Sequence, residues 1–376
     1  MGKVVIVPCS SYDHREVQLC MTELFSYFDG LVDILNHKEI LIKPNLCLPV
    51  SPENAITTHP EVIDSIVQLC KNYNPALKIT IGDSPIGKAD AERRSAIWNI
   101  TGMADVAARN TCSIDYMENN YYFREYNSLT GGIRYPIHEV VDNPVNIINV
   151  PKFKTHGLMM LSGAVKNLYG LIPDGTKKWL HRRFPNRSDF ARLLIDVYDC
   201  VNPCLNIVDA IVSLEGEGPG AKGKPKKTGL LLASTCAVSL DFVLAQIMNI
   251  DPLSVPTNKA WVERFGAAPT IEVVGAQISS FVCYDYKLPV VERYNNEKMV
   301  KKLFDLKYSK PKIDNKKCIG CGLCEKNCSV KAIGFKNSEV IINTDRCIGC
   351  LICHEICPRG AVEIKSNEFY TQIADM

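Results

Sequence analysis

The chain has 376 residues, 46% of them hydrophobic and 22% charged, with a net charge of +2. That length and composition suit one large globular domain plus a small one. The near-balanced charge gives no case for nucleic acid or a membrane surface, and no apolar run approaches the ~20 residues of a membrane span.

The opening MGKVVIVPCSSYDHR has one early lysine and a short apolar run, so it reads as a first strand over Lys3–Val7 rather than a signal peptide. Ile6 stands where a myristoylation signal needs Ser or Thr. Apolar residues at helical spacing predict a helix over Glu16–Leu35. A short strand over Glu39–Lys43 follows, then a helix over Pro60–Lys71 with Thr58 as its cap and Pro in its first turn. Further strands are predicted at Lys78–Gly82, Val145–Val150, Leu205–Val212, Gly229–Ala233 and Ile271–Val274, and helices at Val238–Ile250 and Leu253–Phe265. Strands alternating with helices predict an α/β fold, a layered and largely parallel sheet with helices on both faces. Residues 1–276 form this domain, 277–310 a connecting segment with a charged run at Glu292–Lys302, and 311–366 a small α+β unit.

Polar groups collect just past the predicted strands, where open α/β sheets bind ligands. Lys43-Pro44-Asn45 follows one strand and Gly82-Asp83-Ser84-Pro85 the next. A third is followed by Pro151-Lys152-Phe153-Lys154-Thr155-His156-Gly157, and downstream come Ser162–Gly170 and Asn206-Ile207-Val208-Asp209. Lys43, Lys152, Lys154, His156 and Lys166 bring donors and positive charge, Asn45, Thr155 and Asn167 add neutral hydrogen-bonding groups, and Asp83 and Asp209 add acids. The set suits a small anion bearing carboxylate or phosphate, with a lysine or His156 as proton donor. Lys43, Asn45, Asp83, Thr155, Asn167 and Asp209 are read as binding groups and Lys152, Lys154, His156 and Lys166 as catalytic ones. The plainer reading makes these solvated lysines around turns, with His156 bonded to backbone.

Two further stretches attract attention. Glu215–Lys227 (EGEGPGAKGKPKK) imitates the start of a phosphate-binding loop, but Pro225 replaces the hydroxyl residue that such a loop needs, and nucleotide hydrolysis is rejected. The stretch is then either a mobile basic lid or a surface loop. Lys177–Arg187 interleaves basic residues with Trp179 and Phe184, which favours docking an acidic redox partner or lining the anion pocket over nucleic acid.

The C-terminal unit carries the sharpest pattern. Cys318, Cys321, Cys324 and Cys328 form a C-x2-C-x2-C-x3-C run that is repeated by Cys347, Cys350, Cys353 and Cys357. Three thiolates two residues apart on a tight loop wrap three corners of a cubane, leaving the fourth to come from elsewhere. Zinc prefers separated pairs, and a disulfide framework needs an oxidising compartment. The runs resemble bacterial-type two-cluster ferredoxins, in which the last cysteine of each run ligates the other run's cluster. The resemblance implies one [4Fe-4S] cluster on Cys318, Cys321, Cys324 and Cys357 and another on Cys347, Cys350, Cys353 and Cys328. Ser329 departs from the proline that the pattern places after the run, which Pro358 keeps. The remaining cysteines are scattered and read as reduced thiols, which with oxygen-labile clusters points to a reducing cytoplasm and an anaerobic setting.

PKFKTHG (151–157) and GAVKNLYG (163–170) resemble the domain of unknown function 362 family over about residues 38–250, a family that often carries a C-terminal ferredoxin module. The resemblance implies the fold class and no reaction. The expected function is an iron–sulfur oxidoreductase relaying low-potential electrons between a soluble redox partner and an anionic substrate or cofactor in the α/β domain. A non-enzymatic electron carrier docking a larger complex, or a metallocofactor maturation factor, is the alternative. No G-x-G-x-x-G follows the first strand, which counts against tightly held NAD or FAD.

Overall fold

The computed structural model describes residues 2–28, 35–85, 91–125, 134–142, 146–173, 177, 180, 184, 187–289, 311–328, 331–336, 339–344, 346–347 and 352–364. Along the α/β body the strands are β1 (Gly2–Pro8), β2 (Glu39–Pro44), β3 (Lys78–Gly82), β4 (Ser113–Asp115), β5 (Tyr121–Glu125), β6 (Arg134–His138), β7 (Asn146–Val150), β8 (Lys152–His156), β9 (Met160–Ser162), β10 (Leu205–Gly216), β11 (Gly223–Ser234) and β12 (Ile271–Gly275). The main sheet runs β12-β1-β11-β10-β7-β2-β3-β4, with β8 paired to β10 and β9 to β8. β10, β7, β2, β3 and β4 are parallel neighbours, as are β12 and β1, while β11 runs antiparallel between β1 and β10. The sheet is mixed and largely parallel.

Strand alternation sends Val4 and Ile6 to one core and Val5 and Val7 to the other. The first core packs the helices at Arg187–Val201 and Ala237–Ile247 on the sheet, and the second packs those at His14–Ser26 and Pro60–Tyr73. Both faces are therefore covered, as a parallel sheet requires. Among the described residues no helix is long and apolar enough to cross a membrane.

Several local expectations change. His59, not Thr58, caps the helix at Pro60, its ring accepting from the Glu61 N–H at 3.2 Å. The Thr58 hydroxyl is committed elsewhere, donating to the Val150 carbonyl at 2.7 Å and accepting from the Asn45 N–H at 2.8 Å. Most of the expected 215–227 loop is a hairpin, with Glu215 opposite Lys224 and Gly216 opposite Gly223. Pairing with β10 overrides the poor strand propensity of Gly, Pro and Lys there. Past β12 the chain stays on the body: Tyr286 is buried against Phe153, their ring centroids 5.5 Å apart, and Gly216 donates to the Lys287 carbonyl at 2.7 Å. The charged run at Glu292–Lys302 lies outside the described residues.

The C-terminal unit has β13 (Pro311–Ile313) paired with β16 (Val362–Ile364) and β14 (Ile333–Lys336) with β15 (Glu339–Ile342), around a small core of Ile313, Ile333, Val340, Cys353 and Val362.

Candidate functional site

The cysteine module places Cys318, Cys321, Cys324 and Cys357 around one cavity of about 370 Å³, closed by Ile313, Leu323, Pro358, Ala361 and Val362. Three thiols of the first run thus meet the last cysteine of the second. Burial pushes Cys324 up to about 11, and the neighbouring Cys321, Cys318 and Cys357 add to it. Thiols converging in this way fit a cationic iron–sulfur core, which relieves their mutual repulsion on deprotonation. Backbone N–H groups support the sulfurs: Gly320 donates to Cys318 Sγ at 3.4 Å, Ala332 to Cys328 Sγ at 3.1 Å and Ala361 to Cys357 Sγ at 3.2 Å. Of the second set Cys328, Cys347 and Cys353 are described, and Cys350 lies outside the described residues. No disulfide joins the described cysteines.

At the carboxyl ends of β2 and β3 a second cavity, of about 460 Å³, is lined by Asn45, Cys47, Asp83, Ser84, Lys154, His156, Ser162, Lys166, Asn167, Tyr169, Lys177 and Pro219, among others. Of the expected residues it gathers Asn45, Asp83, Lys154, His156, Lys166 and Asn167. Lys43 sits directly behind this wall, its Nζ donating to Asp83 Oδ1 at 2.7 Å, while Asp83 Oδ2 accepts from the Leu46 N–H at 2.7 Å. Burial pushes the Lys43 ammonium down and Asp83 opposes that shift.

β8 carries Lys152, Lys154 and His156 on one face because alternate strand residues share a side. Their fates differ. Lys152 is wholly enclosed, donating to Asp209 Oδ2 at 2.9 Å and to the Tyr12 hydroxyl at 2.7 Å. Tyr12 donates to Asp209 Oδ1 at 2.8 Å and stacks on His59, centroids 3.7 Å apart, while the His59 N–H donates to Asp209 Oδ2 at 2.9 Å. Lys152 and Asp209 do not line the cavity; they form a buried structural pair. Thr155 faces the other way, donating to the Leu214 carbonyl at 3.3 Å. Lys154 reaches the cavity wall, donating to Asn45 Oδ1 at 2.7 Å and the Ile56 carbonyl at 2.9 Å. His156 Nδ1 accepts from the Leu158 and Met159 N–H groups, both at 3.1 Å, which places the neutral ring's proton on Nε2.

Behind Lys154 the side-chain amides run head to tail. Asn45 donates to Asn167 Oδ1 at 3.0 Å, Asn167 to Asn149 Oδ1 at 2.8 Å, Asn149 to Asn206 Oδ1 at 2.8 Å, and Asn206 to the Ser234 carbonyl at 3.1 Å. Each carbonyl points back toward the cavity, so the row fixes Asn45 Oδ1 on the Lys154 ammonium. Asn149 and Asn206 are fully buried; they head polar stretches of the sequence but were not among the expected site residues. Lys177, foreseen only as part of a basic stretch, is buried and hydrogen-bonded to Ser84, its Nζ at 2.8 Å from the hydroxyl. Trp179 lies outside the described residues.

The start of the four-residue helix at Ala164–Asn167, which carries Lys166, is held by Asp241: its carboxylate accepts from the Ala164 N–H at 2.6 Å and the Val165 N–H at 3.2 Å. Elsewhere His14, Glu61 and Asp64 gather potential metal-ligating atoms, but Arg109 bonds the buried Asp64 Oδ1 at 2.9 Å and lies 3.7 Å from Glu61, so these carboxylates already belong to an ion-pair network.

The family described as "Domain of unknown function (DUF362)" matches residues 40–246, and a 4Fe-4S dicluster domain matches residues 311–364. The C-terminal unit is thus an iron–sulfur electron-transfer module that binds 4Fe-4S clusters. The thylakoid-associated protein sll1697 of Synechocystis is 29% identical over 295 residues, covering 77% of this chain and 88% of that one. The lactate racemase apoprotein from Thermoanaerobacterium thermosaccharolyticum superposes with a TM-score of 0.44 at 15% identity, over 66% of this chain. The match spans 58% of that protein's length.

Proposed function

The chain belongs to the domain of unknown function 362 family, a membership that assigns no reaction, and we propose that this protein is an iron–sulfur oxidoreductase acting on a small anionic acceptor. Two [4Fe-4S] clusters, on Cys318, Cys321, Cys324 and Cys357 and on Cys347, Cys350, Cys353 and Cys328, would supply one-electron steps, charged by a soluble reduced donor protein. The observation that carries the reading is that one turn of the α/β body touches both the strand-end cavity and the loop that bears Cys357. Pro219, in the turn between β10 and β11, lines the strand-end cavity, and Lys222, three residues on, lies against Gly360 of the Cys357 loop. The turn is itself pinned, with the Gly157 N–H donating to the Gly218 carbonyl at 3.1 Å.

Within the cavity the residues divide the work. Lys154, Lys177 and Lys166 bring three lysines to the walls, and the one lining aspartate, Asp83, is matched by Lys43. A carboxylate or phosphate suits such walls. His156, with Nδ1 bound to backbone, orients the ligand by donating a hydrogen bond from Nε2 and keeps its proton. The half-buried ammonium of Lys166 can part with a proton for each electron accepted and regain it from solvent.

The test uses the anaerobically reduced holoprotein with a panel of small carboxylates and phosphates, following both binding and cluster reoxidation. At least one anion should bind and reoxidise the clusters, and Lys166→Met should weaken it tenfold or more, the scale of one charge-assisted hydrogen bond. If no anion binds, or the variant binds as well as the parent, the carrier reading takes its place.

A further inference from the structure

The two halves of the cysteine repeat match in backbone detail around their last cysteines and carry different residues, Lys331 and Gly360, at one equivalent position. In the first half the Lys331 N–H donates to the Cys328 carbonyl at 3.1 Å, and the Ala332 N–H donates to Cys328 Sγ at 3.1 Å. In the second the Gly360 N–H donates to the Cys357 carbonyl at 3.2 Å, and the Ala361 N–H donates to Cys357 Sγ at 3.2 Å. Lys331 and Gly360 also share the left-handed backbone, at φ 49° and 56°. Glycine is not required by that conformation, since the first half seats a lysine in it at the modest strain expected of a non-glycine residue.

What glycine does provide is room. A Cβ on Gly360 would lie 3.0 Å from Lys222 Cγ and 3.7 Å from its Cε, so the side chain that the second half lacks is replaced in space by one from the β10–β11 turn. The Lys222 ammonium lies 3.9 Å from Glu363 Oε1, in the strand that leaves the Cys357 loop. Gly360 itself is buried by the contact, while Lys331 is exposed.

We propose that Lys222 supplies from the α/β body the cation that Lys331 supplies within the repeat. It is then a positioning residue that sets the potential of the cluster on Cys318, Cys321, Cys324 and Cys357. A cation beside a cluster favours its more negative, reduced state, so removing it lowers the potential. Lys331 lies three residues past Cys328, and Lys222 reaches the Cys357 loop from the α/β body, where Glu363 Oε1 is shared with Lys317, beside Cys318, at 3.2 Å. The role rests on the iron–sulfur reading above and is indifferent to what occupies the strand-end cavity.

EPR-monitored redox titration of the full chain, purified anaerobically and with no small-molecule acceptor added, tests this. Lys222→Ala should lower the potential of one cluster and leave the other in place, and Lys331→Ala should lower the other one. In the Lys222→Ala background the space beside residue 360 is open, and Gly360→Lys should restore the first potential. Should the double variant not fold, Glu363→Gln in the parent chain replaces it and should move the same potential upward. The proposal falls if Lys222→Ala shifts both potentials, shifts neither, or shifts the same one as Lys331→Ala. Failure of anion binding in the preceding experiment would leave these shifts untouched.

Discussion

The α/β body and the cysteine module hold their polar interiors in opposite ways. In the body Lys43 meets Asp83, Lys152 meets Asp209, and four asparagine side chains satisfy one another in a row. In the module four thiols converge on one cavity around a core of a few small side chains. The body's interior is completed by its own residues and the module's by what it binds. A unit of this size with so small a core draws its folding free energy from metal binding.

The sharpest way to break that contrast is to remove the iron. Chelation under anaerobic conditions should abolish amide protection across residues 311–364 and leave the β1–β12 sheet protected, as read by hydrogen exchange. A module that stays protected without iron would remove the contrast. The proposed crossing of ligands refines the same experiment. Cys357→Ser should damage the cluster on Cys318, Cys321 and Cys324 and spare the other one better, because Cys357 closes the first run's cavity.

The body should fail differently, by a graded loss. Asp209→Ala leaves Lys152 enclosed with its carboxylate gone and strips acceptors from Tyr12 and the His59 N–H. Unpairing a buried charge costs about 3–5 kcal/mol, whereas replacing both partners with apolar groups costs far less. Denaturant unfolding of Asp209→Ala should show a loss of that order, and adding Lys152→Met should recover part of it. If the two losses simply add, the pair is not coupled and Lys152 owes its place to packing alone.

The same contrast explains what could be read in advance. The cysteine runs were legible because their spacing is local in sequence, and the meeting of Cys357 with the first run was expected from the ferredoxin resemblance. The sheet was legible through apolar runs such as Lys78–Gly82 and Val145–Val150. β8 was not, since Lys152, Lys154, Thr155 and His156 make a poor strand signal, yet all are buried. Nothing local in Asn45, Asn149, Asn167 and Asn206 says that they join: the parallel order of β10, β7 and β2 aligns Asn206, Asn149 and the end of β2, and Asn167 arrives on the helix at Ala164–Asn167. The division of β8 into Lys152 with a carboxylate and Lys154 on the cavity wall likewise depends on which neighbour each meets, Tyr12 or Asn45.

The smallest expected effect sharpens the claim that the body answers its own charges, because Asp241 is the exception. It is fully buried, and burial raises it from the ordinary 3.8 to about 7, opposed by the N–H groups of Ala164 and Val165. The sign follows from proton uptake. Below the ordinary value the carboxyl is protonated folded or unfolded, and its contribution to stability is constant. Between the ordinary value and about 7 the folded chain keeps the proton that the unfolded chain has released, so stability falls as pH rises. Above the folded value the loss is complete, on the order of a few kcal/mol. Asp241→Asn imitates the protonated group and removes this slope. It also sets an amide nitrogen toward one of the two backbone donors, at a pH-independent cost of about 1 kcal/mol. The variant should therefore be the less stable protein below about pH 4 and the more stable one near pH 8, with the unfolding curves of the body crossing between. A stability difference that holds constant across that range would mean that the carboxylate is already ionised in the fold, and the helix carrying Lys166 would then rest on a charge the body does solvate.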